Sequence, residues 1–104
     1  MEAGIVHECN VRGLPGTPDF FVRSVSLAIF YHGCFWHGHH CKPRPESFAW
    51  QDKIDAIKEN DSNVADQLVS TGIRVLVLWE CEVDQDMPGV IDYVRDRIKA
   101  ALER

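Results

Sequence analysis

Four of the chain's five histidines and two of its four cysteines fall within His32-Gly33-Cys34-Phe35-Trp36-His37-Gly38-His39-His40-Cys41. Thiolate and imidazole donors this dense suit a borderline-soft cation, and zinc takes both in a tetrahedron. Cys34, His39 and Cys41 supply three donors in a C-x4-H-x-C spacing, and Cys81 lies forty residues on, in Leu78-Trp79-Glu80-Cys81. Four protein ligands close the coordination shell and mark a structural metal, because a catalytic zinc keeps one position open. His40 competes with His39 for the single imidazole place, and a set of free buried thiols is the plain alternative. Cys9 reads as a buried thiol outside the set.

His37 lies among these donors without being needed as one. Its partner is sought in the helical stretch Ser47–Thr71, where Trp50, Ile54, Ile57, Asp61, Val64 and Leu68 recur at spacings of three and four. That spacing is one face of a helix. Asp61 is the anomaly, since an ionised carboxylate on an apolar face is costly unless something pairs with it. A histidine oriented by a buried carboxylate is the standard construction of a general base or acid. A surface histidine is the competing reading.

Asp19 follows Pro18 at the start of a strand. Pro-Asp is a common turn dipeptide, but a carboxylate at a strand edge also suits magnesium, which wants oxygen ligands and keeps waters for phosphate chemistry. Phe35 and Trp36 either pack over the metal loop or stack on nucleic-acid bases. Trp50, on the helix face, reads as core.

These residues need a scaffold, and the chain permits a small one. Its 104 residues, 45% of them hydrophobic, suffice for one core, and 1–104 reads as a single domain. Met1-Glu2-Ala3-Gly4 has no secretory pattern and no apolar run approaches a membrane span, so a cytoplasmic address, reduced cysteines and no membrane partner are expected. The net charge of −5 argues mildly against nucleic acid, yet much of it sits between Glu80 and Arg104, which leaves the rest near balance.

Gly4–Val11 reads as an edge strand and Gly13–Pro18 as a turn. Phe20–Val22 and Val25–Tyr31 read as a hairpin about Arg23-Ser24. Gly72 is placed to end the helix. Ile73–Trp79 reads as an apolar central strand, and Asp86-Met87-Pro88 opens a last helix through Val90, Ile91, Val94, Ile98 and Leu102. Strand, hairpin, helix, strand, helix predicts an α/β mixed sheet with helices packed on it.

The run Leu14-Pro15-Gly16-Thr17-Pro18-Asp19-Phe20, the run Ala28–Cys41 with its Gly-Cys-Phe-Trp-His-x-His-x-Cys core, and Arg74–Cys81 resemble the very short patch repair (Vsr-type) mismatch endonucleases. The resemblance implies a restriction-endonuclease-like core, a structural zinc and a magnesium-dependent nick in double-stranded DNA, 5′ of the thymine of a T·G mismatch. It assigns Asp19 to magnesium, with the backbone carbonyl of Tyr31 beside it in place of the usual threonine. His37 matches the catalytic histidine, Asp61 its carboxylate partner and His32 a second active-site histidine. Cys34, His39, Cys41 and Cys81 match the zinc ligands, and Phe35, Trp36 and Trp50 match aromatics that meet the DNA stack.

The chain also departs from that pattern. Members begin with a longer basic segment, including a helix that reaches the minor groove, and this sequence carries no counterpart. Ile57 and Asn60 replace the asparagine and arginine of N-x-x-R-D. Weak DNA affinity is therefore expected. The rival expectation is a catalytically inactive relative that binds DNA or a partner protein, or one completed by a separate chain.

Overall fold

The run Leu27–His32 alternates its side chains between two faces, and the layers of the molecule follow from that. In the computed structural model, which describes residues 7–103, this run is strand β3. Leu27 and Ile29 face one side, with Val22, Val25 and Val94. Ala28 and Phe30 face the other, with Phe21 and Leu68. Each face is covered by one helix.

Three more strands complete the sheet: β1 (Glu8–Cys9), β2 (Phe20–Val22) and β4 (Arg74–Trp79), in the order β1-β2-β3-β4. β1–β2 and β2–β3 are antiparallel, while β3 and β4 run parallel, so the sheet is mixed as expected. The reversal between β2 and β3 is a 3₁₀ turn at Arg23–Val25, closed by Ser26 at φ 50° with its N–H donating to Arg23 O at 3.2 Å.

Helix α1 (Phe48–Ser70) makes the parallel crossover. It starts at Ser47, whose carbonyl accepts from Gln51 N–H at 3.0 Å, while Gln51 Nε2 reaches back to Pro45 O at 2.7 Å. It ends in a Schellman turn: Ile73 N–H donates to Leu68 O and Gly72 N–H to Val69 O, both at 3.0 Å. Gly72 sits at φ 84°, a left-handed backbone that a side chain rarely adopts. A short helix, α2 (Glu80–Gln85), follows β4 directly and was not expected. In α3 (Met87–Leu102), Asp86 caps the first turn by accepting Gly89 N–H at 3.1 Å, and Pro88 falls where no intrahelical N–H is required.

Three expectations are corrected. β4 is the outer strand among the described residues rather than a central one. It reads as central because α1 and α3 shield its two faces, leaving Val75 to Trp79 half-buried although one edge is open. Cys9 is exposed, since β1 is a two-residue edge strand with no layer over it. Trp50 is 41% exposed rather than core, because its ring packs on Phe35 and Trp36 of the Cys/His loop, the latter itself 44% exposed, and not in either core cluster. The expected strand Gly4–Val11 survives as β1, with residues 4–6 of that span outside the described part. No helix among the described residues is long and apolar enough to cross a membrane.

Candidate active site and metal centre

β3 ends by delivering His32 to the α1 side of the sheet, where it is 8% exposed, and the chain then coils tightly through residues 33–41. Three backbone bonds fix that coil: His37 N–H donates to Gly33 O at 3.1 Å, Gly38 N–H to Phe35 O at 3.3 Å and His39 N–H to Cys34 O at 2.9 Å. Gly38 stands at φ 65°, where a Cβ would come within 2.8 Å of Lys58 Cδ and 2.9 Å of Ile54 Cγ2. The glycine therefore lets the loop lie directly on α1.

The loop sorts its donors into two groups. Cys34, His39, Cys41 and Cys81 bring one ligand atom each to within 4.8 Å of one another, and this cluster could hold a metal ion. His40 is exposed and stands outside the set. Cys81 N–H donates to Cys34 Sγ at 3.4 Å, and Cys81 Sγ lies 3.7 Å from His39 Nδ1. The thiols affect one another strongly. Burial opposes the Cys34 thiolate, but donors from Cys81 and Cys41 outweigh it and lower its pKa. Cys41 is exposed as a residue, yet desolvation of its thiol, then hydrogen bonds to Cys34 and Cys81, push it up to about 12. Desolvation also raises Cys81, and the charge on Cys34 adds to the rise. Crowded thiols that resist joint ionisation are what a bound cation would relieve, and three sulfurs with one imidazole suit zinc chemistry.

The second group is His32, His37 and Asp61, whose donor atoms also cluster within 4.8 Å. His37 Nδ1 and Asp61 Oδ2 are 2.6 Å apart, both side chains partly shielded from solvent. The imidazole of His32 stacks on that of His37, with centroids 3.8 Å apart and planes within 2°. Burial, and next the charge of His37, hold the His32 pKa below its ordinary value. The carboxylate that broke the apolar face of α1 therefore has its partner. Asp19, just before β2, accepts the backbone N–H of Tyr31 at 2.7 Å, which brings together the carboxylate and the backbone segment that the sequence singled out. Asp19, Tyr31, His32, His37 and Asp61 all line one cleft of about 600 Å³ between α1 and the sheet.

The aromatics form a third group beside this cleft. Phe35 lies 5.2 Å from Trp36 and 6.0 Å from Trp50, and Trp36 lies 5.4 Å from Trp50, centroid to centroid. Trp36 is 44% exposed, a large apolar surface to leave in water.

Three contributors escaped the sequence reading. Lys53 Nζ stands 5.5 Å from the Trp36 ring and 5.4 Å from that of Trp50; its place one turn after Trp50 was the available signal. Glu80 Oε1 accepts Cys34 N–H at 3.3 Å. Trp79 stacks on His39 at 4.2 Å and meets the edge of His32 at 5.3 Å, so one ring separates the two donor groups.

The sequence as a whole is similar to known proteins. The family model described as DNA mismatch endonuclease Vsr matches residues 1–43. The chain is 42% identical over 76 residues to the type II nicking enzyme V.XorIIP of Xanthomonas oryzae pv. oryzae, covering 69% of this chain and 56% of that protein. It is 40% identical over 82 residues to the DNA mismatch endonuclease Vsr of Escherichia coli, covering 75% and 53%. The chain belongs to the Vsr family. A third relative, the type II nicking enzyme V.NmeAIP of Neisseria meningitidis, is 33% identical over 84 residues, covering 77% and 60%. The chain spans about half the length of the Vsr-type relatives it matches.

Proposed function

We propose that the chain is a magnesium-dependent DNA nickase of the Vsr type, acting in T·G mismatch repair, with a structural zinc at Cys34, His39, Cys41 and Cys81. The observation that carries this reading is the His37–Asp61 pair at 2.6 Å, set in the same cleft as Asp19. Asp61 fixes the imidazole through Nδ1, which leaves Nε2 to take or give a proton at the attacking water or a phosphate oxygen. His32, whose charged form burial disfavours, packs on the ring and holds its plane. Asp19 and the Tyr31 carbonyl would hold magnesium, which supplies Lewis-acid stabilisation of charge on the phosphate. Phe35, Trp36 and Trp50 would stack on bases, with Lys53 adding positive charge beside them. Zinc would tie the loop to α2 and take no part in the reaction.

The names of the relatives support the reading, since they are nicking enzymes and a mismatch endonuclease. The test is nicking of T·G-mismatched and matched duplexes by the full chain with magnesium at low salt. Nicking that exceeds Asp19→Ala by about 100-fold or more is expected. Equal activity of the two proteins defeats the reading, and magnesium-independent DNA binding without cleavage would favour a non-cutting relative instead.

A further inference from the structure

The outer edge of β4 pairs with no other strand among the described residues. Arg74 N–H donates inward to Ser26 O at 2.8 Å, and the parallel register pairs Leu27 with Arg74 through to His32 with Trp79. Backbone groups alternate sides along a strand. Val75 and Val77 therefore turn both N–H and C=O outward, and Trp79 turns its N–H outward. No strand pairs with them among the described residues. The usual protections of a free edge, a proline or a lysine within the strand, are absent from Arg-Val-Leu-Val-Leu-Trp.

Leu76 to Trp79 of this strand also line a groove of about 900 Å³. One wall is the Cys/His loop with His40. The other is α2 and the start of α3, with Glu82, Asp86 and Tyr93. Glu80-Cys81-Glu82-Val83-Asp84-Gln85-Asp86 carries four acids and no base. That charge repels nucleic acid, and it repels a second copy of a chain whose net charge is −5. It attracts a basic polypeptide.

We propose that the β4 edge and its acidic wall form a docking groove for an extended, basic segment of a partner protein, which adds to the sheet as a fifth strand. Main-chain bonds to Val75, Val77 and Trp79 supply the affinity, and alternate basic side chains facing Glu82 and its neighbours supply the selection. The docked strand ends beside Trp79, which touches both His39 and His32. Occupancy there abuts the candidate active site from behind.

The probe is a synthetic seven-residue peptide alternating valine and lysine, titrated into isotope-labelled full chain and followed by amide resonances. Saturable shifts at Val75, Val77 and Trp79 are expected, with hydrogen exchange of those amides slowed at least tenfold. Methylating the peptide nitrogens on the pairing edge should weaken binding at least tenfold. A glutamate-for-lysine peptide should fail on the native chain and bind the Glu82→Lys variant better than the lysine peptide does. The proposal is overturned if those amides do not respond, if nitrogen methylation has no effect, or if the chain alone forms a dimer that already protects them. None of these readouts depends on nicking, so the groove stands or falls separately from the enzyme reading.

Discussion

Two donor clusters meet across the Trp79 ring, one made of three thiols and an imidazole, the other of two imidazoles and a carboxylate. Both draw on the same short loop, and His37 and His39 are two residues apart. The backbone separates them by function. His39 follows the bond from its N–H to Cys34 O toward the sulfurs, and His37 turns toward α1 and Asp61. The sulfur cluster is closed on itself, with every proposed coordination place filled by protein. The imidazole cluster opens on the 600 Å³ cleft. A closed donor set suits holding the chain, and an open one suits meeting a substrate. The comparison predicts that damage to the first costs stability, whereas damage to the second costs activity with the fold intact.

The largest effect expected is from removing the closed cluster. Cys81→Ser, or chelation, breaks the tie between the loop and α2. Structural zinc sites in small peptides are worth roughly 10–16 kcal/mol of apparent binding energy. Loss of bound zinc by metal analysis should therefore accompany loss of cooperative thermal unfolding. An unchanged melting curve in the Cys81→Ser protein would show that the thiols do not hold the fold.

His37→Ala should leave zinc content and melting nearly unchanged while nicking falls by about 100- to 10,000-fold. Asp61→Asn should do less, by about 100-fold, because the imidazole stays in place and loses only its orienting charge. Single-turnover nicking rates separate the two. If either variant loses zinc, the two clusters are one unit and the division fails.

Trp36→Ala probes the exposed aromatic surface that the proposed function sets against DNA. Base–aromatic stacking is worth about 1–3 kcal/mol, so affinity for a mismatched duplex should drop by about 5- to 150-fold, with the single-turnover rate at saturating DNA little changed. A rate loss at saturation, with affinity intact, would instead make the ring a support for His37.

How much of this was legible in the sequence follows from how local each device is. The donors within residues 32–41 and the Asp61 break in the α1 face could be read directly, because spacing alone brings ligands or helix neighbours together. The edge position of β4 could not. An apolar run reports that both faces are covered and says nothing about whether a neighbour pairs with its outer side. Trp50 fits the core period of α1, but periodicity does not show whether a helix face meets the core or an exposed loop. The helix α2 was hidden because Val83 is its one large apolar residue and gives no repeat to detect. The pairing of His37 with Asp61 across twenty-four residues was suggested by cost and shown only by the fold.

The smallest effect concerns a second fastener of the same loop. Arg44, just past the sulfur cluster, forms a two-bond pair with Asp55 of α1 at 3.1 and 3.0 Å. Its guanidinium hydrogen bond holds the Asp55 pKa below the ordinary 3.8. A carboxylate with a lowered folded-state pKa stabilises above its unfolded value and loses that contribution as pH falls through the folded one. The pair is half exposed and screened by salt, so Asp55→Asn should barely move the melting temperature at pH 7. Whatever difference remains should shrink as pH drops below about 3.8. A drop at neutral pH as large as that from Cys81→Ser would mean that the ion pair to α1 holds the loop as firmly as the sulfur cluster's tie to α2. The contrast between a closed metal corner and an open catalytic one would then have to be redrawn around Arg44.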